Sequence, residues 1–441
     1  MARRSNARRA GTQVKALLPV TIPHGGIRYA QGVRAGRWIF ATGHKAAVAE
    51  TGAIAPEVLA AALPHWGKPR LRREADRVFR NLAAVIEAGG SDFDNVVRVD
   101  QNYTSGAAVE AYHDARRAAL RDHIPPSTST LAAGFLLPDQ NIEVNMIAVE
   151  PAAGFKPVHI RPEREQKEVH ASSGYSLALG AGDFVFVAGR YADSPTFGAG
   201  IAPEARVPAG HLWKGLAIKL EAEHVITKKI LPALEAAGSS LASVVKCQVY
   251  MRDLADFAAF NEVWSRHFPR AQPATTLIPT ATPGFAIRDL RLEINTIALR
   301  DGARTQRKVI DAGVVPAFRG YSQAVRAGDL LFIPGMLAID RNGLIEAARA
   351  DPAQPYFGSA IQAQMDYLLA NAQRLCLAAG TSLANVVRIQ QYHTDLAEFY
   401  PAYQTWQRHL PGHYLPYSAV QVPFLPVPGA TVMLDLWVYA P

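Results

Sequence analysis

Two strand-like segments carry a glutamate that has a polar neighbour on the same face. In NIEVNMIAV, Glu143 precedes Asn145 by two residues, and in RLEINTIAL, Glu293 follows Arg291 by two. Side chains two apart on a strand point to the same side, so each carboxylate lies beside an amide or a guanidinium. Such a pair can hold a water molecule, with Glu143 or Glu293 as the general base. A hydrogen bond in a purely structural interface predicts the same pattern.

A histidine and a lysine follow another strand-like segment. The stretch FATGHKA places His44 and Lys45 directly after apolar residues. Imidazole can serve as a general base near neutral pH, and an ammonium group can anchor an anion. The corresponding place in a later segment has Arg190, which is a second candidate for anion binding. An exposed strand end without a function is the competing interpretation of both.

No pattern in the sequence indicates a metal or a cofactor. The thirteen histidines show no HxxxH or HxH spacing, and no glycine-rich phosphate loop occurs. Cys247 and Cys376 lie in apolar strand and helix patterns, which is typical of small core residues in a reducing compartment. We therefore expect no cofactor and a cytoplasmic location.

The candidate residues lie in three copies of one pattern. The copies open with IRYAQGVRAGRWIFATG, SGYSLALGAGDFVFVAG and RGYSQAVRAGDLLFIPG, whose turn glycines Gly36, Gly182 and Gly328 are equally spaced. Each copy continues with a helix, a glycine stop, a β-branched strand, a shorter second helix and an alternating closing strand. Repeats of this length are whole domains and not turns of a solenoid.

The order of elements predicts an α+β fold in each copy, with a mixed six-stranded sheet and two helices on one face. Polar, charged linkers place the boundaries near residues 156 and 303. We expect a disordered basic tail and three domains, which span residues 1–15, 16–155, 156–302 and 303–441.

The closing strands indicate how the three sheets meet. Their apolar faces belong under the helices, and their opposite faces are polar in the first two copies. In the third copy that face includes Met433 and Trp437, which favours contact with another surface over full solvation. We therefore expect the three sheets to face one another around a pseudo-threefold axis.

The repeated hairpin, the segment AAGTSLANVVRIQQYHTDLAEF and the closing alternating strand resemble the Rid (YjgF) superfamily over nearly all of the chain after the tail. The resemblance implies a chorismate-mutase-like fold and a trimer with a central barrel and ligand clefts between subunits. This chain would be a single-chain version of that trimer, either monomeric or assembled further into a homo-oligomer. The best-known members hydrolyse reactive enamines and imines to keto acids and ammonia.

The family holds the substrate carboxylate with an arginine at the start of the penultimate strand, because a guanidinium donates two parallel hydrogen bonds. Here that position is Ser127 (or the adjacent Thr128), Thr275 and Tyr417. The last-strand carboxylate is kept as Glu143 and Glu293 and is replaced by Met433. The resemblance assigns further substrate contacts to the hairpin tyrosines, to the second-helix position and to a strand-end threonine: Tyr29, Tyr175, Tyr321, Asn261, His113, Tyr403 and Thr42.

Two functions remain open at this point. One is a Rid-type enzyme that hydrolyses, deaminates or rearranges a small imine- or enamine-like molecule in a cleft between domains. The other is a non-catalytic protein that binds a small molecule or serves as a scaffold in a catabolic pathway, which the loss of the arginine in all three copies favours. Ribonuclease activity has little support because no basic stripe with interleaved aromatic residues occurs.

Composition limits the partners. The chain has 441 residues, 49% of them hydrophobic and 19% charged, and no apolar run long enough to cross a membrane. Much of the net charge of +8 comes from the tail, whose Arg3, Arg4, Arg8, Arg9 and Lys15 have no acidic neighbour. We expect a small-molecule ligand, with neither a membrane nor a nucleic acid as partner.

Long inserts before the first helix of each copy carry aromatic residues, namely Trp66, Trp213, Tyr356 and Phe357. They could form lids over the clefts, and local packing is the alternative.

Overall fold

The computed structural model describes residues 14–23, 25–60, 67–152, 154–160, 173–196, 199–212, 216–270, 272–285, 287, 289–349, 353 and 358–441. Most of the basic tail and all four aromatic residues that were expected to form lids lie outside these residues.

Unit 1 begins with a hairpin and ends with the strand that carries Glu143. Its strands are β1 (Val14–Thr21), β2 (Arg28–Ala35), β3 (Trp38–His44), β4 (Val96–Tyr103), β5 (Ser127–Leu131), β6 (Gly134–Phe135) and β7 (Ile142–Val149). Its helices are α1 (Pro56–Leu59), α2 (Arg70–Ala88) and α3 (Ala108–Leu120). The sheet order is β1-β2-β3-β7-β4-β5, in which only β4 and β5 are parallel.

Unit 2 repeats this order. Its strands are β8 (Val158–Ile160), β9 (Ala178–Ala181), β10 (Phe184–Arg190), β11 (Ser239–Met251), β12 (Ala274–Pro279) and β13 (Leu292–Arg300). The first long helix consists of α4 (Leu216–His224), a π-helical segment (Val225–Ile230) and α5 (Leu231–Ala236), and the second is α6 (Phe257–His267). The sheet order is β12-β11-β13-β10-β9-β8.

Unit 3 contains the same elements and one small addition. Its sheet strands are β14 (Arg307–Ile310), β15 (Ala324–Ala327), β16 (Leu330–Met336), β19 (Val386–His393), β20 (Tyr417–Gln421) and β21 (Val432–Tyr439). A separate two-stranded hairpin is formed by β17 (Ile339–Asp340) and β18 (Gly343–Leu344), and the long helices are α7 (Ala360–Ala378) and α8 (Phe399–His409). Strand β6 of unit 1 pairs with β20, so it extends this sheet to seven strands.

The opening hairpins turn in the same way because each has glycine where the chain enters the left-handed region. Gly36, Gly182 and Gly328 have φ values of 55°, 57° and 57°. A residue with a side chain is disfavoured in this conformation. The equal spacing of these glycines in the sequence therefore reflects a common turn geometry.

The two faces of each sheet have different partners. In unit 1, Val144 and Met146 of β7 pack in one apolar cluster with α2 and α3, whereas Ile147 belongs to a second cluster on the opposite side. The second cluster draws large residues from all three sheets, including Phe40, Phe186, Phe332 and Trp437. One face of the unit 1 sheet is thus covered by helices, and the opposite face belongs to a cluster that includes residues of the other two units.

The units contact one another in a cyclic order. Strand β10 lies against β5, β16 against β12, and β3 against β20, so each opening hairpin meets the penultimate strand of another unit. The three large sheets nevertheless remain distinct, although β6 of unit 1 joins the sheet of unit 3, and among the described residues no sheet closes on itself. The three sheets and the α+β character agree with the sequence prediction, whereas a closed central barrel is not present as a single sheet.

Two further expectations concern single features. Cys247 and Cys376 are free and buried in β11 and α7, as their apolar surroundings predicted. Within the described ranges, no helix has both the length and the apolar character that a bilayer crossing requires.

A buried side chain of the first long helix ties that helix to the start of the last strand in each unit. Glu74 accepts the Ile142 amide at 2.8 Å, Glu221 accepts the Arg291 amide at 2.9 Å, and Gln364 accepts the Thr431 amide at 3.0 Å. Gln364 also donates to the Gly429 carbonyl. The glutamine in unit 3 indicates that the link needs the hydrogen bond and not the charge.

Replacing Glu221 with glutamine is expected to remove a pH-dependent penalty on folding. Burial raises the pKa of Glu221 to about 7, so the folded chain keeps a proton that the unfolded chain has lost above its ordinary pKa of 4.5. The parent therefore loses stability as pH rises through this window, on the order of 2–3 kcal/mol, and Glu221→Gln does not. Melting temperatures should be similar at pH 5, and that of the variant should be higher by a few degrees at pH 8. Parallel curves across this range would contradict the assignment.

Candidate functional site

Three seams separate the units, and each is built from equivalent elements. In each seam, the hairpin strand and the last strand of one unit face the penultimate strand of another. The 1–3 seam contains Glu143 and Tyr417, the 1–2 seam contains Glu293 and Ser127, and the 2–3 seam contains Met433 and Thr275.

A glycine in each hairpin strand allows the close approach. A Cβ atom on Gly43 would lie 2.3 Å from the Tyr417 carbonyl oxygen of unit 3. A Cβ atom on Gly189 would lie 1.8 Å from Glu293 Oε1 and 3.2 Å from Thr128 Cγ2 of unit 1. A side chain at Gly43 would therefore collide with the backbone of unit 3, and one at Gly189 would collide first with Glu293 of its own unit.

In the 1–3 seam the carboxylate is already neutralised. Glu143 forms a buried ion pair with Lys45, and its Oε1 accepts from Ser418 Oγ of unit 3 at 2.6 Å. Lys45 also donates to the Gly43 carbonyl at 3.0 Å. Asn145, expected to share a water with Glu143, instead accepts from the Gly43 amide at 2.8 Å. Lys45 and Glu143 therefore neutralise each other, so the Lys45 ammonium group is not available to bind an anionic ligand.

His44 does not face the same side as Lys45. Its Nε2 lies 2.7 Å from the Gln31 carbonyl oxygen, so this nitrogen donates to that oxygen. Burial lowers the pKa of His44 to about 4, and the imidazole is neutral at neutral pH. Thr42 is also buried in β3. The strand end of unit 1 is thus a packed element and not an exposed terminus.

Aromatic side chains fill the rest of the 1–3 seam. The ring of Tyr417 packs edge-on against Tyr403, Phe399 and Trp406. Tyr403 reaches unit 1, where its hydroxyl accepts from the Arg28 amide at 2.7 Å. Tyr29 donates to the Ala49 carbonyl at 3.0 Å, and burial raises its pKa to about 12.

In the 2–3 seam, a methionine occupies the position of the candidate glutamate. Met433 replaces the glutamate, and Met336 occupies the place of His44. Thr275 bonds to the Pro273 carbonyl at 3.1 Å within its own unit. Tyr321 of unit 3 donates to Asn261 of unit 2 at 3.0 Å, so two residues that were predicted separately lie together.

In the 1–2 seam a buried glutamate has no basic partner at ion-pair distance among the described residues. Glu293 is 3% exposed, and Arg291, its expected neighbour, pairs with Asp256 at 2.8 Å instead. Burial raises the pKa of Glu293 to about 8, against the opposing effect of a hydrogen bond from the Ser129 amide of unit 1. The carboxyl group is therefore mostly protonated at neutral pH.

Two sequence-predicted residues surround this carboxyl group. The charge of Arg190 acts on Glu293 and lowers its pKa in part, and Arg190 is itself 4% exposed. Burial raises the pKa of Tyr175. The charge of Arg190 acts against this rise, and the charge of Glu293 adds to it. The 1–2 seam thus combines an acid, a guanidinium and a phenol that the sequence analysis had nominated separately.

The sequence analysis missed Arg116 of α3. This residue is fully buried, and its Nη1 donates to Ser127 Oγ at 3.2 Å, at the position where the family has its arginine. Its Nη2 donates to the Ser173 carbonyl of unit 2 at 2.5 Å, and its guanidinium lies 5.6 Å from the centre of the Tyr112 ring. His113, another predicted contact, lies on the same helix.

A signal for Arg116 was present in the repeats. When the second helices AAVEAYHDARRAAL, ADFAAFNEVWSRHF and AEFYPAYQTWQRHL are aligned, Arg116 corresponds to Trp264 and Trp406. Both tryptophans are fully buried. An arginine in place of a core tryptophan indicates that its charge has a role, because a buried guanidinium is costly without partners.

The site offers no evident metal centre. Among the described residues, no three potential metal-ligating side chains converge. The groups that could act on a ligand are the carboxyl of Glu293, the hydroxyls at the end of β5 and the guanidinium groups of Arg116 and Arg190.

Comparison with known proteins identifies the family to which the three repeated units belong. The family model described as Endoribonuclease L-PSP matches residues 22–150, 165–300 and 313–439. A RutC family protein of Pyrococcus abyssi is 37% identical over 127 residues, which cover 29% of this chain and 87% of that protein. The mitochondrial protein MMF1 of Saccharomyces cerevisiae is 29% identical over 124 residues, which cover 28% of this chain and 74% of that protein.

Solved structures of single domains also match. The crystal structure of yeast Mmf1 is 27% identical and covers 33% of this chain and 98% of its own, with a TM-score of 0.26. The structure of RidA from an Antarctic Psychrobacter is 32% identical and covers 30% of this chain and 98% of its own, with a TM-score of 0.25. Because the family model matches three successive stretches that together span most of the sequence, the chain belongs to the endoribonuclease L-PSP (Rid/YjgF) family and contains its domain three times.

Proposed function

We propose that this protein is a Rid-type enzyme that hydrolyses a small imine or enamine bearing a carboxylate, and that the 1–2 seam is its active site. The observation that carries the proposal is the buried, protonated carboxyl of Glu293 beside a seam that also holds Arg116 and Arg190. An acid with a pKa near the working pH is suited to proton transfer.

We further propose that the three units are arranged around a pseudo-threefold axis, like the subunits of a trimer, with domains at residues 16–155, 156–302 and 303–441. The cyclic contacts of β10 with β5, β16 with β12 and β3 with β20 support this arrangement. In this arrangement each seam is one of three related clefts, and two of the three have no carboxyl group that is free to transfer a proton. Glu143 is bound by Lys45, and Met433 has no carboxyl.

In the proposed reaction, Arg116 and Arg190 hold the substrate carboxylate, so the arginine lost from β5 is replaced by one from α3. Glu293 gives its proton to the imine nitrogen while a water oxygen bonds to the imine carbon. The resulting carboxylate takes a proton from the added water. Glu293 then gives this proton to the amine nitrogen and takes the proton of the hydroxyl group, and the carbon–nitrogen bond breaks to release a keto acid and ammonia.

A second candidate is a ligand-binding or scaffold protein without catalysis. The filled 1–3 and 2–3 seams favour it, because side chains there occupy the positions that contact substrate in the family. The two candidates differ in one observable, which is ammonia release from imines.

Glu293→Gln is expected to abolish ammonia release, by at least about 100-fold in kcat, because the amide cannot transfer a proton. The measurement is ammonia produced from a panel of small imines, with ligand binding followed by calorimetry. Glu143→Gln makes the same change in the 1–3 seam. It should lower the melting temperature, since Lys45 loses its counter-charge, and retain most of the turnover. Loss of turnover in Glu143→Gln but not in Glu293→Gln would move the active site to the other seam, and binding without turnover by the parent would favour the second candidate.

Arg116→Lys tests the proposed carboxylate anchor. Lysine keeps the charge but loses the two-donor fork, so KM for carboxylate-bearing imines should rise about 10-fold or more while kcat changes less. Imines without a carboxylate should show no such change in KM. The control is Arg117→Lys, on the more exposed side of α3, where the arginine pairs with Asp114. An equal loss for both kinds of substrate would mean that Arg116 is only structural.

The rate should depend on the protonated form of Glu293. Its pKa of about 8 predicts that kcat is constant from about pH 6 to 7 and falls as pH rises through 8. Stopped or continuous ammonia assays across pH 6–10 provide the profile, and Glu293→Gln should lack this step. A rate that increases through pH 8 would instead make the Glu293 carboxylate a general base.

A further inference from the structure

Three basic residues meet where the three sheets face one another. Arg98, Lys246 and Arg388 occupy the same position in β4, β11 and β19, since each is paired across the sheet with an equivalent residue of the last strand. All three are at most 2% exposed. Equivalent positions of three homologous units have thus brought three positive charges into one buried region.

Two carboxylates are available to balance them. Asp100 bonds to Arg98 of its own strand at 2.8 Å and to Arg388 of unit 3 at 2.5 Å. Asp435 of unit 3 bonds to Lys246 of unit 2 at 2.6 Å. One acid therefore serves two arginines.

The units differ at the position two residues after each of these basic residues. The position of Asp100 is Gln248 in unit 2 and Gln390 in unit 3, and Gln248 donates to Gln390 at 2.8 Å. Arg98 has a carboxylate two residues further along its strand, whereas Arg388 has a neutral amide there. The cluster, as far as the described residues extend, is one negative charge short.

The uncompensated donors belong to Arg388. Its Nε and Nη1 are buried and have no hydrogen-bond partner among the residues that the structure describes. Its guanidinium lies 5.0 Å from the centre of the Trp437 ring, whose Nε1 is also buried and unbonded. An arginine keeps its charge at all relevant pH values, so these donors cannot be relieved by losing a proton.

We propose that a small monovalent anion, of which chloride is the ready example, binds beside Arg388 at the junction of the three units. An anion there supplies the missing charge and accepts from the unbonded donors. Loss of a proton from Lys246 would also balance the charge, since burial lowers the pKa of Lys246, but it would leave Arg388 Nε and Nη1 unbonded. Asp435 lies nearby, and its Oδ1 has no hydrogen-bond partner among the described residues. Its other oxygen, Oδ2, accepts hydrogen bonds from Lys246 and Thr276.

The anion would hold the units together, because its site draws on all three sheets. A ligand that binds only the folded state stabilises it in a saturable, concentration-dependent way. The proposed anion lies beside Arg388 and not among the residues proposed for catalysis, although the charges of Arg98 and Asp100 in the same cluster also act on Glu293.

The first experiment measures melting temperature against chloride concentration at constant ionic strength, with gluconate as the replacing anion because it is too large for a buried site. The expected result is a saturable rise of several degrees with chloride. In crystals grown with bromide, an anomalous peak should lie within hydrogen-bonding distance of Arg388 Nε or Nη1. Equal melting temperatures in both salts, or no bromide peak beside Arg388, would overturn the proposal.

A variant supplies the missing charge from the chain itself. Gln390→Glu is nearly isosteric and gives Arg388 a carboxylate two residues away, as Asp100 is to Arg98. It should raise the melting temperature in gluconate and remove the chloride dependence. Gln404→Glu, an exposed position of α8 in the same unit, makes the same change in net charge and should keep the dependence. Chloride dependence that persists in Gln390→Glu would contradict the proposal, and the bromide measurement on the parent tests it even if this variant does not fold.

Discussion

The pairing of buried charges between units is the constraint on which the rest of the structure depends. Asp100 of unit 1 pairs with Arg388 of unit 3 as well as with Arg98 of its own unit, and Asp435 of unit 3 pairs with Lys246 of unit 2. Removing one partner of such a pair leaves a buried charge, which costs several kcal/mol. Identical subunits would place the same residue at every equivalent position. A single chain can put an acid in one unit and its base in another, and this fixes which surfaces meet.

Fixed neighbours allow the seams to diverge. The residue after the hairpin strand is Lys45, Tyr191 or Leu337, and the buried second-helix position is Arg116, Trp264 or Trp406. Each residue fits the seam in which it lies. Lys45 neutralises Glu143. Arg116 donates to Ser127, a small residue at the position where the family has its arginine. Function could therefore be concentrated in one seam while the other two gained packing.

The fold was predictable because its signals are local and occur three times. Turn glycines such as Gly36, alternating closing strands and helix stops all act within a few residues of themselves. The chemistry of the seams was not predictable in this way, because it depends on which units are in contact. Arg291 was placed beside Glu293 by strand alternation, yet it bends towards Asp256. Arg116 lies on the second helix, where the resemblance pointed to His113 instead. The π-helical segment Val225–Ile230 was also missed, since its apolar spacing is that of an ordinary helix.

Keeping Glu293 has a cost that its counterparts avoid. Met433 fills the equivalent position with an apolar side chain, and Glu143 has Lys45 to offset its burial. Glu293 is neither replaced by an apolar residue nor paired with a base, and its pKa of about 8 keeps it protonated in the folded chain up to about that pH. A carboxyl group whose pKa is raised in this way lowers stability progressively as pH rises from 4.5 to about 8, through the linkage between folding and proton binding. Such a local penalty is what a proton-donating group in a cleft requires, because a stronger partner would hold the group ionised and remove its acidity near neutral pH.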